Sequence, residues 1–281
     1  MMNRYISPRT GQRTATIVLW SCTGLTVAAL VGIIAYILVK GLPHLDWKFL
    51  VQNVERMGKG GGVFPFVIAT LYATGIALLV ATPLGVGTAI YLTEYTRGGR
   101  LTTVIRFGAD CLAGVPSIIF GLFGFVFFVI YLDLGWSMIS GGLTLALMVL
   151  PTIIRTSEEA IRAVPREYRD VAFGLGSTRW QMVAKVILPS AMPGILTGVI
   201  LSIGRSVSET AAVMLTAGSA LKTPLLPTDS GRTLAYHFYI LAREGISAEN
   251  AYKTATVLIL AILVINFSAY WLMRRFIARI S

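Results

Sequence analysis

FPFVIATLYATGIALLVATPLGVGTAIYL, Phe64 to Leu92, runs for 29 residues without an Asp, Glu, Lys or Arg. A helix rises about 1.5 Å per residue and a bilayer's hydrocarbon is roughly 30 Å thick, so this stretch is long enough to cross a membrane. Comparable runs lie on either side of it, at Ile17–Val39, Asp110–Leu132, Met138–Ile154, Ala191–Thr216 and Ala251–Met273. Met138–Ile154 is the shortest and can extend at either end. The predicted fold class is an all-α integral membrane protein with about six transmembrane helices.

Composition agrees. Of 281 residues, 55% are hydrophobic and 13% charged, against roughly 25% charged in an average soluble domain. Mean hydropathy is +0.74. The net charge of +11 would suggest nucleic acid in a soluble chain. Here the bases cluster in short loops beside apolar runs, and no nucleic-acid-binding motif appears. Cys22 and Cys111 are far apart, have no metal spacing, and read as small buried hydrophobes. His44 and His237 fall in separate loops. No metal site, cofactor fingerprint, nucleophile elbow or paired catalytic carboxylates are found, so an enzyme is not predicted.

Arg4, Arg9 and Arg13 precede an apolar run from about Ala15 to Val39. The run is too long for a signal-peptide core and reads as a retained helix. Orientation follows from the bases. Fifteen of the 24 Lys and Arg fall in the N-terminal tail, Tyr95–Arg106, Arg155–Ser190 and the C-terminal tail. Eight fall in Lys40–Val63 and Ala217–Lys253, and Arg205 lies within a span. The richer side is predicted to be cytoplasmic. That gives a cytoplasmic tail at 1–16, a membrane domain at 17–273 with a long loop at 155–190, and a cytoplasmic tail at 274–281, in the cell membrane.

Gly60–Gly62 is expected to make a flexible lead into the second span. Gly and Pro also punctuate the spans, at Pro83, Gly85 and Gly87, then at Gly114, Pro116, Gly121 and Gly124. They suit close helix packing and kinks. A freed backbone carbonyl beside Pro116 and Ser117 equally suits a water-filled substrate path.

The most informative loop reads EEAIRAVPREYRDVAFGLGSTRWQMVAKVILP, Glu158 to Pro189. A short helix is expected from about Glu167 to Phe173. Gly174 and Gly176 then allow a sharp turn, and Ser177 is a candidate N-cap for a second helix. That helix carries Trp180, Met182, Val183 and Val186, and Pro189 helps to stop it. Pattern alone leaves two roles open: an amphipathic element on the membrane surface, or a dock for a partner.

Arg205 and Glu209 fall near the middle of the fifth span, where a charge costs roughly 2.5–3.5 kcal/mol on insertion scales. Their i, i+4 spacing predicts one helical face, shared with Gly198, Ser202, Ser206 and Thr216. Such a stripe fits either an internal salt bridge or an anion contact in a translocation path. No Gly-x-x-x-x-Gly-Lys-Ser/Thr loop is present. If the chain is driven by ATP, the ATPase is another polypeptide.

The loop resembles that of membrane subunits of ATP-binding-cassette importers. Their pattern is EAA, three residues, Gly, nine residues, Ile, one residue, Leu-Pro. Asp170-Val171-Ala172 stands at EAA, Gly176 at the glycine, and Val186-Ile187-Leu188-Pro189 at the end. The resemblance implies a type I importer permease whose short helix sits in a groove on the ATPase subunit. Glu167, Asp170, Ala172, Gly176, Leu188 and Pro189 are then coupling residues.

Further segments are similar to the phosphate-importer branch of PstA-like permeases. They are Gly114-Val115-Pro116-Ser117-Ile118-Ile119-Phe120-Gly121-Leu122-Phe123, Leu150-Pro151 to Val164-Pro165, and Gly204-Arg205-Ser206-Val207-Ser208-Glu209-Thr210-Ala211. Ser208 stands where that branch usually has glycine. The likeness implies phosphate as cargo, with a path past Arg205, Glu209, Ser202, Ser206, Pro116 and Ser117. It also implies three partners: a second, PstC-like permease, a PstB-like ATPase dimer and an extracytoplasmic PstS-like phosphate-binding protein. Alternatives are another oxyanion (molybdate, tungstate or sulfate) or, from a different class, a stand-alone secondary transporter.

Overall fold

In hydrocarbon every backbone amide must find a partner within the protein, which leaves helices as the economical solution for these apolar runs. The computed structural model describes residues 8–96 and 98–277, so Arg4, Arg97 and Arg279 of the charge pattern lie outside it. Its helices are α1 (Pro8–Gly41), α2 (Trp47–Val51), α3 (Phe64–Ile90), α4 (Arg100–Ala113), α5 (Ser117–Gly124) and α6 (Met138–Ala163). After them come α7 (Arg166–Gly174), α8 (Arg179–Met182), α9 (Leu188–Ser208), α10 (Ala211–Thr216), α11 (Leu234–Arg243) and α12 (Ala248–Ile277). Wider π turns extend α3 to Tyr95, extend α5 to Tyr131, and join α8 to α9 at Val183–Ile187.

Among the described residues, five helices are long and apolar enough to cross a membrane, or six if the bent α4–α5 pair counts as one span. The centre is α3 against α6. Ala69, Ala73, Ala77 and Ala81 repeat every fourth residue along α3 and are all buried against Leu145, Met148, Val149 and Ile153 of α6. Small residues admit this approach: a Cβ on Gly142 would lie 2.5 Å from Ile76 Cγ2, and one on Gly85 2.7 Å from Ile153 Cγ2. In lipid such close van der Waals contact is a main source of helix association. Helices α9 and α10 also pack on α6, and α1 runs beside α12.

Several expectations are corrected. The stretch Asp110–Leu132 is not one straight helix. Asp110–Ala113 end α4, and the chain then turns by 105° before Ser117–Tyr131. Arg155–Ala163 belong to α6 rather than to a loop. Gly60–Gly62 are not flexible. Gly60 and Gly61 pair with Val54 and Glu55 in a two-stranded ribbon, and a Cβ on Gly61 (φ +76°) would strike Asn53 O at 2.3 Å. His237 lies in α11, buried and stacked on Phe66 at 3.8 Å. Burial, with Arg232 beside it, pushes its pKa down to about 3, so it packs as a neutral ring. Cys22 and Cys111 are exposed within this single chain, not buried.

Candidate translocation and coupling site

The fifth span is broken. α9 stops at Ser208, and Glu209 is extended (φ −73°, ψ 133°). Local chemistry favours the stop. The Ser208 hydroxyl bonds back to Gly204 O at 3.0 Å. Glu209 Oε1 accepts from the amides of Ala211 and Ala212, at 3.1 and 3.4 Å. Those are first-turn donors of α10, which have no partner inside that helix. A carboxylate there replaces the bonds that a continuous helix would make.

Packing and the break together divide the predicted face into three parts. Gly198, Ser202 and Ser206 are buried, and a Cβ on Gly198 would collide with Thr156 of α6. Ser202 donates to Gly198 O at 2.9 Å, while the Ser206 hydroxyl is buried without a partner. Arg205 is exposed on the outer side of α9. Among the described residues no ion pair links it to Glu209 or to any other carboxylate, so the i, i+4 pairing is not formed. Glu209 and Thr216 lie beyond the helix end.

Pro116 and Ser117 sit at the other break. Pro116 (φ −59°, ψ 141°) caps α5. One turn on, Gly121 approaches α10 so closely that a Cβ would meet Ala212 Cα at 2.9 Å and Ala211 O at 3.1 Å. The same two residues hold the Glu209 carboxylate. The two breaks therefore lead into helices that pack on each other, which joins predicted path residues from α5 and the α9–α10 junction.

The predicted coupling element forms as a helix, a turn and a second helix. In α7, Ala172 is buried while Tyr168, Val171 and Phe173 are exposed, as is Leu175 just after it. Glu167 is exposed in the first turn and Asp170 lines a cavity on a different side from Val171. Gly176 has φ +76°, where an L side chain is strained; Gly174 keeps a helical backbone. The cap is Thr178, not Ser177. Thr178 and Gln181 make a reciprocal capping box, while Ser177 donates to Ala172 O at 2.7 Å. Pro189 does not stop the second helix, which runs on to Ser208. The wide turn at Val183–Ile187 accommodates the missing proline amide.

Two further residues carry no signal in the sequence. Arg169 donates to Glu94 at 2.6 Å, and to the carbonyls of Ile161 and Val164 at 3.0 and 2.8 Å. It ties α7 to the ends of both α3 and α6. Glu94 lies 75 residues away, so no local spacing announces the pair.

A family model described as binding-protein-dependent transport system inner membrane component matches residues 81–281. The chain belongs to this family. It is similar to the probable ABC transporter permease protein YqgI of Bacillus subtilis (strain 168), at 34% identity over 96% of each chain. It is also 32% identical to the phosphate transport system permease protein PstA of Pasteurella multocida (strain Pm70), over 83% of this chain and 84% of that one. The fold matches a chain in the crystal structure of a bacterial alginate ABC transporter in complex with an alginate pentasaccharide-bound periplasmic protein. The TM-score is 0.69 over 95% of this chain and 96% of the other, at 14% identity. This is the type I importer permease fold, and the chain is a multi-pass membrane permease.

Proposed function

We propose that this permease is one half of the membrane channel of an ATP-driven importer for inorganic phosphate. The observation that carries the reading is the α7–Gly176 element. Its Tyr168, Val171 and Leu175 are exposed among the described residues, while Arg169 anchors the helix from behind. An apolar tip on an anchored helix suits a groove on an ATPase and can pass movement into α3 and α6. The likeness to phosphate permeases supplies the cargo.

On this reading the ATPase is a PstB-like dimer docked at α7. A PstC-like permease completes the path, and a PstS-like binding protein delivers phosphate on the opposite side. The bias of basic residues puts α7 and both termini in the cytoplasm. The chain has no phosphate loop and does not hydrolyse ATP itself. Arg205, unpaired among the described residues, offers a planar fork of donors to phosphate oxygens. Glu209 Oε1 is held by amides, and its other oxygen makes no bond among the described residues. That oxygen can accept a hydrogen bond from the proton that phosphate carries at neutral pH and sulfate lacks.

The test is uptake by proteoliposomes holding the co-expressed permeases and ATPase, with binding protein outside. Phosphate should enter with ATP, sulfate and molybdate should not, and the purified chain alone should show no ATPase activity. Gly176→Val should strain the turn and stop uptake while hydrolysis continues. Unchanged uptake by that variant at equal membrane levels refutes the coupling assignment. Uptake of molybdate or sulfate in place of phosphate refutes the cargo.

A further inference from the structure

The coupling helix has a second face with its own chemistry. A cavity of about 610 Å³ opens beside it, framed by the end of α3, by α4, by the last turn of α6 and by α7. Its charged lining is Arg106, Arg162, Arg166 and Arg169, with Glu94 and Asp170. Arg166, Arg169, Asp170 and Phe173 share one side of α7 at spacings of three and four residues. Tyr168 and Val171 point elsewhere, so the cavity does not compete with the apolar tip.

The arginines differ in how far they are used. Arg169 is fully engaged by Glu94 and backbone carbonyls. Arg106 and Arg162 converge on a single carboxylate oxygen, Glu158 Oε1, at 2.8 and 2.5 Å. Arg106 Nη2 also reaches Leu92 O at 3.3 Å, but its Nε is buried with no partner. Arg166 is exposed and makes no ion pair among the described residues. A guanidinium carries five N–H donors, so three arginines from α4, α6 and α7 present many unused donors around one space. A planar carboxylate can face one or two of them. A tetrahedral phosphate group presents acceptors in several directions and can bridge all three.

We propose that this cavity is a site for a phosphate-group anion, distinct from the translocation path, whose occupancy braces the coupling helix against α4 and α6. The inference rests on the importer reading for its placement at the coupling side. Two sources share this chemistry. One is free inorganic phosphate released on that side, which would make the site a feedback element. The other is the headgroup of an anionic phospholipid. Leu101, Val104 and Phe107 of α4 are exposed beside it and suit contact with lipid. In either case a bound phosphate links α7 to α4, the helix that leads into the Pro116 break.

The test uses the full chain in phosphatidylcholine nanodiscs and reads Tm. One arm titrates inorganic phosphate. The other replaces part of the lipid with phosphatidylglycerol at constant ionic strength. A saturable rise in Tm is expected in one arm, and that arm names the source. Arg162→Gln/Arg166→Gln should weaken the effect by about tenfold or more, as the loss of charge-assisted hydrogen bonds implies. Arg205→Ala should keep it, since that residue belongs to the path. If the double variant does not fold, Arg166→Gln alone carries the test, because its side chain has no hydrogen-bond or ion-pair partner among the described residues to lose. No rise in either arm overturns the proposal. So does a rise that survives Arg166→Gln unchanged, or one that disappears in Arg205→Ala. The assay needs neither ATPase nor binding protein, so its outcome is separate from that of the uptake experiment.

Discussion

Two regions of this chain each contain an arginine and a glutamate, and they use them in opposite ways. Beside α7, Arg169 and Glu94 come from distant parts of the sequence and are clamped together, with side chains 20% and 6% exposed. At the α9–α10 break, Arg205 and Glu209 are four residues apart and do not meet. Glu209 is turned onto the amides of Ala211 and Ala212, and Arg205 is left exposed. Proximity in sequence therefore says little about pairing once a helix ends between the two groups. A pair that is closed holds elements in place. A pair held open leaves an arginine for something outside the chain, and a fixed break beside it where backbone groups can face water.

The first way to sharpen that contrast is to break the closed pair. Arg169→Ala leaves the nearly buried Glu94 carboxylate without its counter-charge, and strips donors from Ile161 O and Val164 O. Removing one partner of a buried pair costs about 3–5 kcal/mol. Folded, monodisperse protein in mild detergent should fall sharply for this variant. It should partly recover in Arg169→Ala/Glu94→Ala, which leaves no orphan charge. Normal folding of the single variant, measured by size exclusion and thermal unfolding, would show that the strut is dispensable.

How much of this was readable beforehand follows the range of the forces. The spans are visible because apolar length is a local property. The Gly176 turn is visible because spacing and a required positive φ are local too. The capping box at Thr178 and Gln181 is also written in the sequence, as Thr-x-x-Gln, one residue beyond the candidate Ser177. The Arg169–Glu94 clamp was not readable, since it depends on how α3 and α7 dock. The break after Ser208 was only half readable. Ser, Glu and Thr at 208–210 are permissive, but what makes the break tolerable is α5 covering α10 at Gly121. That is tertiary, and a pattern of residues every 100° assumes the continuous helix that the packing denies. Ser202, Arg205 and Ser206 do share one continuous helix, so their separation has another cause. Packing against α6 takes the two serines inward and leaves the arginine outside.

A smaller effect is expected from the open pair's acidic member. Glu209 acts as the side-chain acceptor at the start of α10, and losing such a cap typically costs about 0.5–2 kcal/mol. Glu209→Ala should lower thermal stability by that amount. Glu209→Gln keeps an acceptor oxygen and should lose less. Because its charge is gone, it should also admit sulfate more readily relative to phosphate in the reconstituted importer. An unchanged sulfate-to-phosphate ratio would reduce Glu209 to a structural cap and remove it from cargo selection.

The smallest effect on stability, and the most telling on function, belongs to Arg205. Its guanidinium makes no hydrogen bond or ion pair within the described chain, so Arg205→Ala deletes no internal contact of charge. Substitutions of that kind usually fall within about 0.5 kcal/mol. Removing a charge from a span even favours insertion, by roughly 2.5–3.5 kcal/mol on insertion scales. A purely structural arginine would predict unfolding here, with rescue by Arg205→Ala/Glu209→Ala. An arginine held for cargo predicts the reverse: normal amounts of folded permease, and phosphate uptake reduced in both single and double variants. A hydrogen bond to a charged group is worth about 1.5–3 kcal/mol, so the loss in uptake should be roughly ten- to a hundredfold. Lysine keeps the charge but not the fork, and Arg205→Lys should recover only part of it. Full uptake by the uncharged double variant would mean that the two residues matter only to each other, despite standing apart.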